Sequence, residues 1–202
     1  MSNNEQQIFK QWLKQIIEEL VWANCYFKVW EQLWPSTEEI AHVENLYLNF
    51  FQLTRTAHNN QFLLQLSKIL DHHKDSINIF KLIKMVEKQP GLITEKSLDI
   101  DALKAKLSEK EEVLKRLRTL RDKKLAHIDE KFHINASLQK SNQFHVGEAR
   151  TLLNDLAEIL TEISVAHDGA IPTFETLSIN DTSELLKMLT SKIKKDNEEI
   201  PS

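Results

Sequence analysis

The chain has 202 residues, which is enough for one helical domain with its own hydrophobic core. Only three glycines and four prolines interrupt it. Leu, Ile, Lys, Glu and Gln are abundant, and this composition predicts long helices rather than sheets. The formal charge of −4 excludes a protein that coats nucleic acid through bulk positive charge, but it is compatible with a local basic site.

The cysteine content and the hydropathy pattern predict the compartment. Cys25 is the single cysteine, so no intramolecular disulfide can form, and this suits a reducing environment. Residues 1–7 are polar and lack the apolar centre of a signal peptide. No apolar run of the sequence approaches the length that spans a bilayer. We therefore expect a cytoplasmic protein with no membrane partner.

The first predicted helix covers residues 7–33 and has a wide apolar face. Two neighbouring rows at helical spacing form this face: Trp12, Ile16, Leu20, Ala23, Phe27, Trp30 and Trp34 in one row, and Phe9, Leu13 and Ile17 in the other. We expect all four tryptophans, Trp12, Trp22, Trp30 and Trp34, to be buried, because tryptophans on a helical stripe are more often core residues than platforms for stacked bases. Pro35 ends the helix, and Ser36 with Glu39 predicts a capping box for the next one.

The second and third predicted helices are separated by a polar connection at residues 71–75. The second helix is predicted over residues 37–70, with one apolar row in which Asn60 also falls: Val43, Leu46, Phe50, Leu53, Ala57 and Leu64. Asp75 or Ser76 caps the third helix, which ends near residue 89 before a Pro-Gly break.

The remaining sequence predicts three more elements. A densely charged fourth helix begins near Asp99, and its apolar row is Leu103, Leu107, Leu114 and Leu117. Residues 131–144 are polar and aperiodic and predict a loop, and a fifth helix covers residues 146–166. A last helix is capped by Asp181 with Glu184 and runs through Ile193. The fold class is therefore all-α, an up-and-down bundle of five to six helices. Residues 1–170 form the helical domain, and residues 171–202 form an extension with a short helix and a frayed tail.

The candidate chemistry lies near the end of the fourth helix. Extending its apolar row by four residues reaches Arg121, which must find an anion because a buried, unpaired guanidinium is very costly. His127 falls on the neighbouring apolar row. On an ideal α-helix, residues six positions apart point roughly 120° away from each other. Two copies related by a twofold axis would bring both groups to one phosphate, and this favours a homodimer.

The string LRDKKLAHID at residues 120–129 resembles the signature of HEPN ribonucleases. In that signature an arginine and a polar residue are followed by a histidine, here Arg121, Asp122 and, after five intervening residues, His127. The longer string is similar to the AbiU2-like branch, which favours the pattern R-D/N-K-x-L/I-A-H-x-D. The resemblance covers roughly residues 7–166, with Asp71 in the connection before the third helix.

The resemblance implies a metal-independent endoribonuclease of a bacterial defence or toxin–antitoxin system. Attack by the 2′-hydroxyl of RNA would leave a 2′,3′-cyclic phosphate, and no metal or other cofactor is implied. His127 would act as base or acid, and Arg121 would hold the phosphate. Asp122 would orient the imidazole or pair with Arg121. The candidate RNA-binding residues are Lys123, Lys124 and Arg118.

The implied partners are an RNA substrate, a second copy of the chain and an antitoxin or other neutralising protein. Some HEPN toxins carry a tyrosine two residues after the histidine, and a nucleotidyltransferase antitoxin modifies it. Asp129 occupies that position here, which argues against this particular type of antitoxin.

Several alternatives remain open at the level of sequence. The chain is alternatively a non-catalytic HEPN module that binds RNA, nucleotide or a protein partner, or a purely structural helical dimer. Arg121 and His127 are alternatively structural, one in an ion pair and the other near a helix C-terminus. The acidic and histidine residues of the 71–75 connection have metal-ligand chemistry, but such residues are more often solvated. His133 and His145 flank the predicted loop and either contact substrate or are simply polar loop residues.

Overall fold

The protein is helical throughout the residues that its structure describes. A computed structural model describes residues 3–94, 98–125, 130–174 and 179–198. In chain order the α-helices of these ranges are α1 (Asn3–Gln32), α2 (Glu38–Leu46), α3 (Leu48–Ile69), α4 (Ile79–Lys88), α5 (Ile100–Ser108), α6 (Glu111–Leu120), α7 (Glu130–Ile134), α8 (Ala136–Ser141), α9 (Val146–Asp168) and α10 (Ile179–Glu198). A 3-10 turn occupies Pro90–Leu92, and a π-helical turn occupies Arg121–Leu125. The described ranges contain no strand, and the all-α prediction is confirmed.

Side-chain caps determine where α2 and α4 begin. Thr37 accepts a hydrogen bond from a backbone N–H in the first turn of α2, and Asn78 does the same for α4. Each cap satisfies one of the backbone donors that a helix leaves unpaired at its start. The predicted caps were wrong by one to three residues. Ser36 was predicted in place of Thr37, and Asp75 or Ser76 in place of Asn78, because several neighbouring residues have side chains that can cap a helix.

One large hydrophobic core joins α1, α3, α4, α5, α6 and α9. Its fully buried side chains include Phe9, Leu20, Phe62, Leu66, Leu82, Leu103, Leu117, Leu156 and Ile159. Full burial of each such side chain stabilises the fold by about 1.5–3 kcal/mol before the conformational entropy is counted. The apolar rows predicted for the first and fourth helices supply much of this core.

The prediction that the tryptophans are buried was wrong for two of the four. Trp22 and Trp34 are 51% and 53% exposed, whereas Trp12 and Trp30 are half-buried. The indole of Trp34 lies just after the end of α1, and the guanidinium of Arg55 stacks 4.9 Å from its ring centre. This cation–π contact stabilises an aromatic ring that the core does not cover.

The predicted second helix is interrupted at Tyr47. This residue has φ −122° and ψ 39°, so α3 starts with a different rotation from α2. The apolar row counted through the break therefore fails: Leu46, Phe50 and Leu53 are 54%, 57% and 71% exposed. Phe51 is buried instead. A periodicity of 3.6 residues holds only within an uninterrupted helix.

The loop predicted over residues 131–144 was wrong in part, since it contains most of α7 and all of α8. Asn135 caps α8 by accepting a hydrogen bond from the N–H of Leu138, and Phe132 of α7 is buried. Helices of five and six residues are too short to show a hydrophobic period in the sequence.

Helix α10 covers a second, smaller hydrophobic cluster. Leu186 is buried against Leu33, Val43 and Phe51, which come from the end of α1, from α2 and from α3. The helix begins at Ile179 and ends at Glu198, so it is longer at both ends than the sequence predicted. The division of the chain at residue 170 stays a prediction.

None of the described helices combines the length and the apolar character that a membrane-spanning helix needs.

Candidate active site

Arg121 lies at the start of the π-helical turn and shares its guanidinium between two carboxylates. Its Nη1 donates to Oδ1 of Asp71 at 3.1 Å, and its Nε donates to Oδ1 of Asp122 at 2.7 Å. Asp71 comes directly after the end of α3, so the contact joins two distant parts of the chain. Arg121 therefore meets the anion that its position on an apolar row requires.

The electrostatics of this cluster favour the charged forms of Arg121 and Asp71. The hydrogen bond to Asp122 contributes most to raising the pKa of Arg121, and the bond to Asp71 adds to it against the effect of partial burial. Partial burial alone would raise the pKa of Asp71. The hydrogen bonds from Arg121 and from the backbone N–H of His73 outweigh it, so the pKa of Asp71 is lowered.

The cluster orients the guanidinium more than it stabilises the fold. The side chains of Arg121 and Asp71 are 27% and 28% exposed, and that of Asp122 is 52% exposed. Ion pairs this accessible to water contribute no more than about 1 kcal/mol to stability. A guanidinium held at two points nevertheless has a fixed direction, which matters for recognition of a phosphate.

The π-helical turn changes the geometry that the sequence predicted for this segment. A π turn closes its hydrogen bonds between residues five apart and is wider than an α turn, so the rotation calculated for an ideal α-helix does not hold over residues 121–125. His127, the second predicted catalytic residue, lies outside the described residues, together with residues 126, 128 and 129. The site described here is therefore the arginine half of the motif.

The three candidate RNA-binding residues do not lie on one surface. Lys123 and Lys124 are exposed, and Lys124 lines a cavity of about 610 Å³ with Trp30 and Phe144. Arg118 is half-buried and lines a different cavity of about 470 Å³. The two cavities flank the segment that carries Arg121.

The cavity that Arg118 lines also contains His72, which the sequence analysis named only as a possible metal ligand. Its imidazole stacks on Phe80, with ring centres 4.0 Å apart and planes 25° apart. Loss of water from the stacked ring is the main cause that lowers the pKa of His72, and the positive charge of Arg118 adds to it while Asp71 opposes it. The imidazole is therefore neutral at pH 7.

Comparison with known proteins places this chain in a family. The model of the AbiU2 family of HEPN domains matches residues 6–188, which is most of the chain and includes much of α10. The chain belongs to the AbiU2 family of HEPN proteins. The resemblance inferred from the motif is thereby confirmed, and the protein is an HEPN domain of an abortive-infection family. No curated protein and no solved structure matches the chain.

In this AbiU2 protein the acidic and histidine residues of the 71–75 connection bind other protein groups. Asp71 binds Arg121, His72 stacks on Phe80, and His73 lies beside Asp75 in an exposed turn. Among the described residues no three His, Cys, Asp or Glu side chains converge to hold a metal ion. The connection therefore serves the arginine cluster and the neighbouring cavity.

The two histidines that flank the predicted loop have separate positions. His145 precedes α9, and its backbone N–H donates to the carboxylate of Glu148 at 3.2 Å. His133 is exposed on α7 and lines the same cavity as Lys124. Of the two, only His133 adjoins the cavity beside Arg121.

Proposed function

We propose that this AbiU2-family protein is a metal-independent endoribonuclease that acts in the cytoplasm, within a bacterial defence or toxin–antitoxin system. The observation that carries the proposal is the guanidinium of Arg121. It is half-buried, held by Asp71 and Asp122, and located within the string that resembles the signature of HEPN ribonucleases. Lys123 and Lys124 are exposed in the same π-helical turn as Arg121, and positive charge at this turn favours binding of a phosphate.

The reaction proposed is an internal transfer of the phosphate within the RNA. The 2′-oxygen forms a bond to phosphorus while the bond from phosphorus to the 5′-oxygen breaks. His127 removes the proton of the 2′-hydroxyl or donates a proton to the leaving 5′-oxygen, since imidazole titrates near neutral pH. Arg121 forms a fork to the phosphate oxygens and stabilises the negative charge that develops on them. The products carry a 2′,3′-cyclic phosphate and a 5′-hydroxyl.

Asp71 and Asp122 would act on this reaction through Arg121. Asp122 occupies Nε and Asp71 occupies Nη1, and together they fix the plane of the guanidinium. A planar fork in a fixed orientation loses less conformational entropy when it binds phosphate. Both carboxylates would thus be positioning residues, with the proviso that an approaching phosphate must compete with them for the arginine.

The proposed assembly is a homodimer with a neutralising partner. Two copies related by a twofold axis would let Arg121 and His127 of different protomers meet at one phosphate. A nuclease of this kind has to be restrained in its own cell. We expect a neutralising protein other than a nucleotidyltransferase that modifies a tyrosine after the histidine, because that tyrosine is Asp129 in this chain.

One observation favours a second function, that of a non-catalytic HEPN module. Two carboxylates already satisfy Arg121, as they would if the arginine only joined the end of α3 to the π turn. Such a module would bind RNA, nucleotide or a protein partner without cleaving a bond.

Cleavage of RNA by the purified protein in excess chelator separates the two functions. We expect wild type to cut RNA and leave 2′,3′-cyclic ends, and we expect Arg121→Ala and His127→Ala to be inactive. Arg150→Ala and His42→Ala are matched controls, because both residues are exposed and lie on helices remote in sequence from the motif. Products with 3′-hydroxyl ends, cleavage that chelator abolishes, or cleavage that survives both motif substitutions would contradict the proposal.

A further inference from the structure

A cavity lies between α1, α3, the π turn that begins at Arg121, and the α7–α8 pair. Its volume is about 610 Å³, a size typical of sites for small organic ligands. Trp30 and Phe144 line it and are half-buried, with part of each ring left accessible. The ring centre of Trp30 lies 5.9 Å from Phe27, and that of Phe144 lies 6.1 Å from Phe62, so the core holds both rings in place.

The polar part of the wall consists of side-chain amides and cations. Asn59, Gln139 and Gln143 contribute the amides. The Nε2 of Gln139 donates to the backbone oxygen of His133 at 2.8 Å, and the backbone oxygen of Gln143 accepts from Arg116 at 3.1 Å. These bonds fix the outer wall of the cavity, where the exposed lysines are Lys124 and Lys140 and where His133 is also exposed.

The described residues that line this cavity carry charge of the opposite sign to the net charge of the whole protein. The chain has 30 acidic residues and 26 basic ones, yet no Asp or Glu is among the described residues that line the cavity. Each of four other cavities in the described ranges has at least one carboxylate in its wall. An aromatic cavity whose described lining includes lysines and no carboxylate is suited to a planar ligand that carries negative charge nearby.

The cavity is continuous along the chain with the candidate active site. Leu120 and Lys124 line it, and Arg121 lies between them at the start of the π turn. Arg121 follows Leu120 directly, so the guanidinium and one wall of the cavity belong to the same helical segment, and one nucleotide or two consecutive ones would connect a phosphate at Arg121 to a base in the cavity.

We propose that this cavity binds one unpaired nucleobase of single-stranded RNA, next to the phosphate held by Arg121. The inference rests on the proposed function and names the form of RNA that the site takes. Bases of single strands stack on aromatic side chains, and amides recognise their edges by hydrogen bonds. The exposed lysines contact the flanking phosphates. A base inside a duplex cannot enter, because both its faces and its pairing edge are already occupied.

Binding of an uncleavable oligonucleotide tests the site separately from catalysis. A DNA hexamer has no 2′-hydroxyl, so the proposed reaction cannot occur on it. Titration of the wild-type protein is followed by tryptophan fluorescence, with Trp30 as the reporter in the cavity wall. We expect quenching in wild type and in Trp22→Phe, a control on the same helix that does not line the cavity, and little quenching in Trp30→Phe. Equal quenching in Trp30→Phe and wild type would overturn the proposal.

Two affinity comparisons extend the test to variants that keep the core intact. Gln143 and the control Gln11 are both exposed, so their replacement by alanine leaves the fold in place. We expect Gln143→Ala to weaken binding about 5-fold and Gln11→Ala to leave it unchanged. Removing the base at one position of the hexamer should weaken binding about 10-fold or more, since the stacked base is lost. Equal affinity of the abasic and intact hexamers, or of Gln143→Ala and wild type, would contradict a base site.

Binding of the hexamer and cleavage of RNA together separate the proposed base site from the proposed nuclease activity. Base-dependent binding of the hexamer without cleavage of RNA would support the cavity and overturn the nuclease. Cleavage of RNA at the same rate by Gln143→Ala and wild type, together with equal affinity for the abasic and intact hexamers, would support the nuclease and overturn the cavity proposal. Failure of wild type to bind any single strand would overturn the cavity proposal and direct attention to a protein ligand.

Discussion

The two carboxylates that bind Arg121 lie at very different distances from it along the chain. Asp122 is its neighbour in sequence, and pairing between them was one of two roles that the sequence left open for this residue. Asp71 is fifty positions away, and only the packing of α3 against the π turn brings it within 3.1 Å. The requirement for an anion could be predicted from the apolar row, but the identity of the second anion could not.

The planar shape of the Arg121 guanidinium, and not only its positive charge, should be needed for RNA cleavage. Arg121→Lys keeps the positive charge but cannot hold Asp71, Asp122 and a phosphate in one plane. We expect RNA cleavage to fall about 100-fold, as when one preorganised donor is removed from a transition state. Cleavage rates under saturating RNA measure this, with Arg150→Lys on α9 as the control. Retention of full activity would mean that charge alone suffices at this position.

His72 leads to a prediction about pH and stability. Its pKa is lowered in the folded protein from the ordinary value near 6.5, so the unfolded chain binds a proton more readily as the pH falls below that value. The stability associated with neutral His72 is present above pH 6.5 and is lost on acidification. We expect the free energy of unfolding in urea to fall less between pH 7.5 and 5.5 in His72→Gln than in wild type. His42→Gln, an exposed control on α2, should behave as wild type, and equal losses in all three proteins would refute the assignment.

At the scale of elements, interruptions of helices separate the observed structure from the predicted one. The break at Tyr47 gives α3 a different rotation from α2, so that Phe50 and Leu53 are exposed, and the π turn changes the rotation within Arg121–Leu125. Neither feature has a proline or glycine to mark it. Four of the five residues in the string RDKKL at residues 121–125 are good helix formers, and these residue types do not distinguish an α turn from a π turn.

The packing of α10 gives the prediction at this scale. Leu186 is only 4% exposed and closes the small cluster over Leu33, Val43 and Phe51, whereas its neighbour Leu185 is 49% exposed. We expect Leu186→Ala to reduce the free energy of unfolding by about 2 kcal/mol or more through lost burial and a cavity. Leu185→Ala should change it by less than about 0.5 kcal/mol. Urea denaturation measures both, and equal effects would show that α10 does not pack in this way.

At the scale of the whole molecule, the π turn stands between two cavities of different chemistry. The one that Lys124 lines has aromatic, amide and cationic walls, and the one that Arg118 lines contains His72 as well as carboxylates. A net charge of −4 gave no indication of this arrangement, because it averages over the surface. Local charge, not total charge, decides where RNA would bind.

The proposed dimer gives the prediction at the molecular scale. If Arg121 and His127 of different protomers form one site, each mixed dimer of Arg121→Ala and His127→Ala keeps one intact site. Random exchange makes about half of the dimers mixed, with one of two sites intact, so we expect about a quarter of the wild-type activity. Each variant alone should be inactive. The measurement is RNA cleavage after the two variants are unfolded and refolded together, with light scattering to confirm the dimeric mass. No recovery in a confirmed mixed dimer would place both groups of each site in one protomer.

The all-α class, most of the buried face of α1 and the family could be predicted from the sequence alone, because they depend on local helix propensity, uninterrupted periodicity and a continuous motif. Which carboxylate after α3 reaches Arg121, and which lysine lines the aromatic cavity, is visible only in the packed fold. The physical reason is that these contacts join segments distant in sequence. Their geometry depends on how helices pack and on where they are interrupted, and neither is encoded in a local pattern of residues.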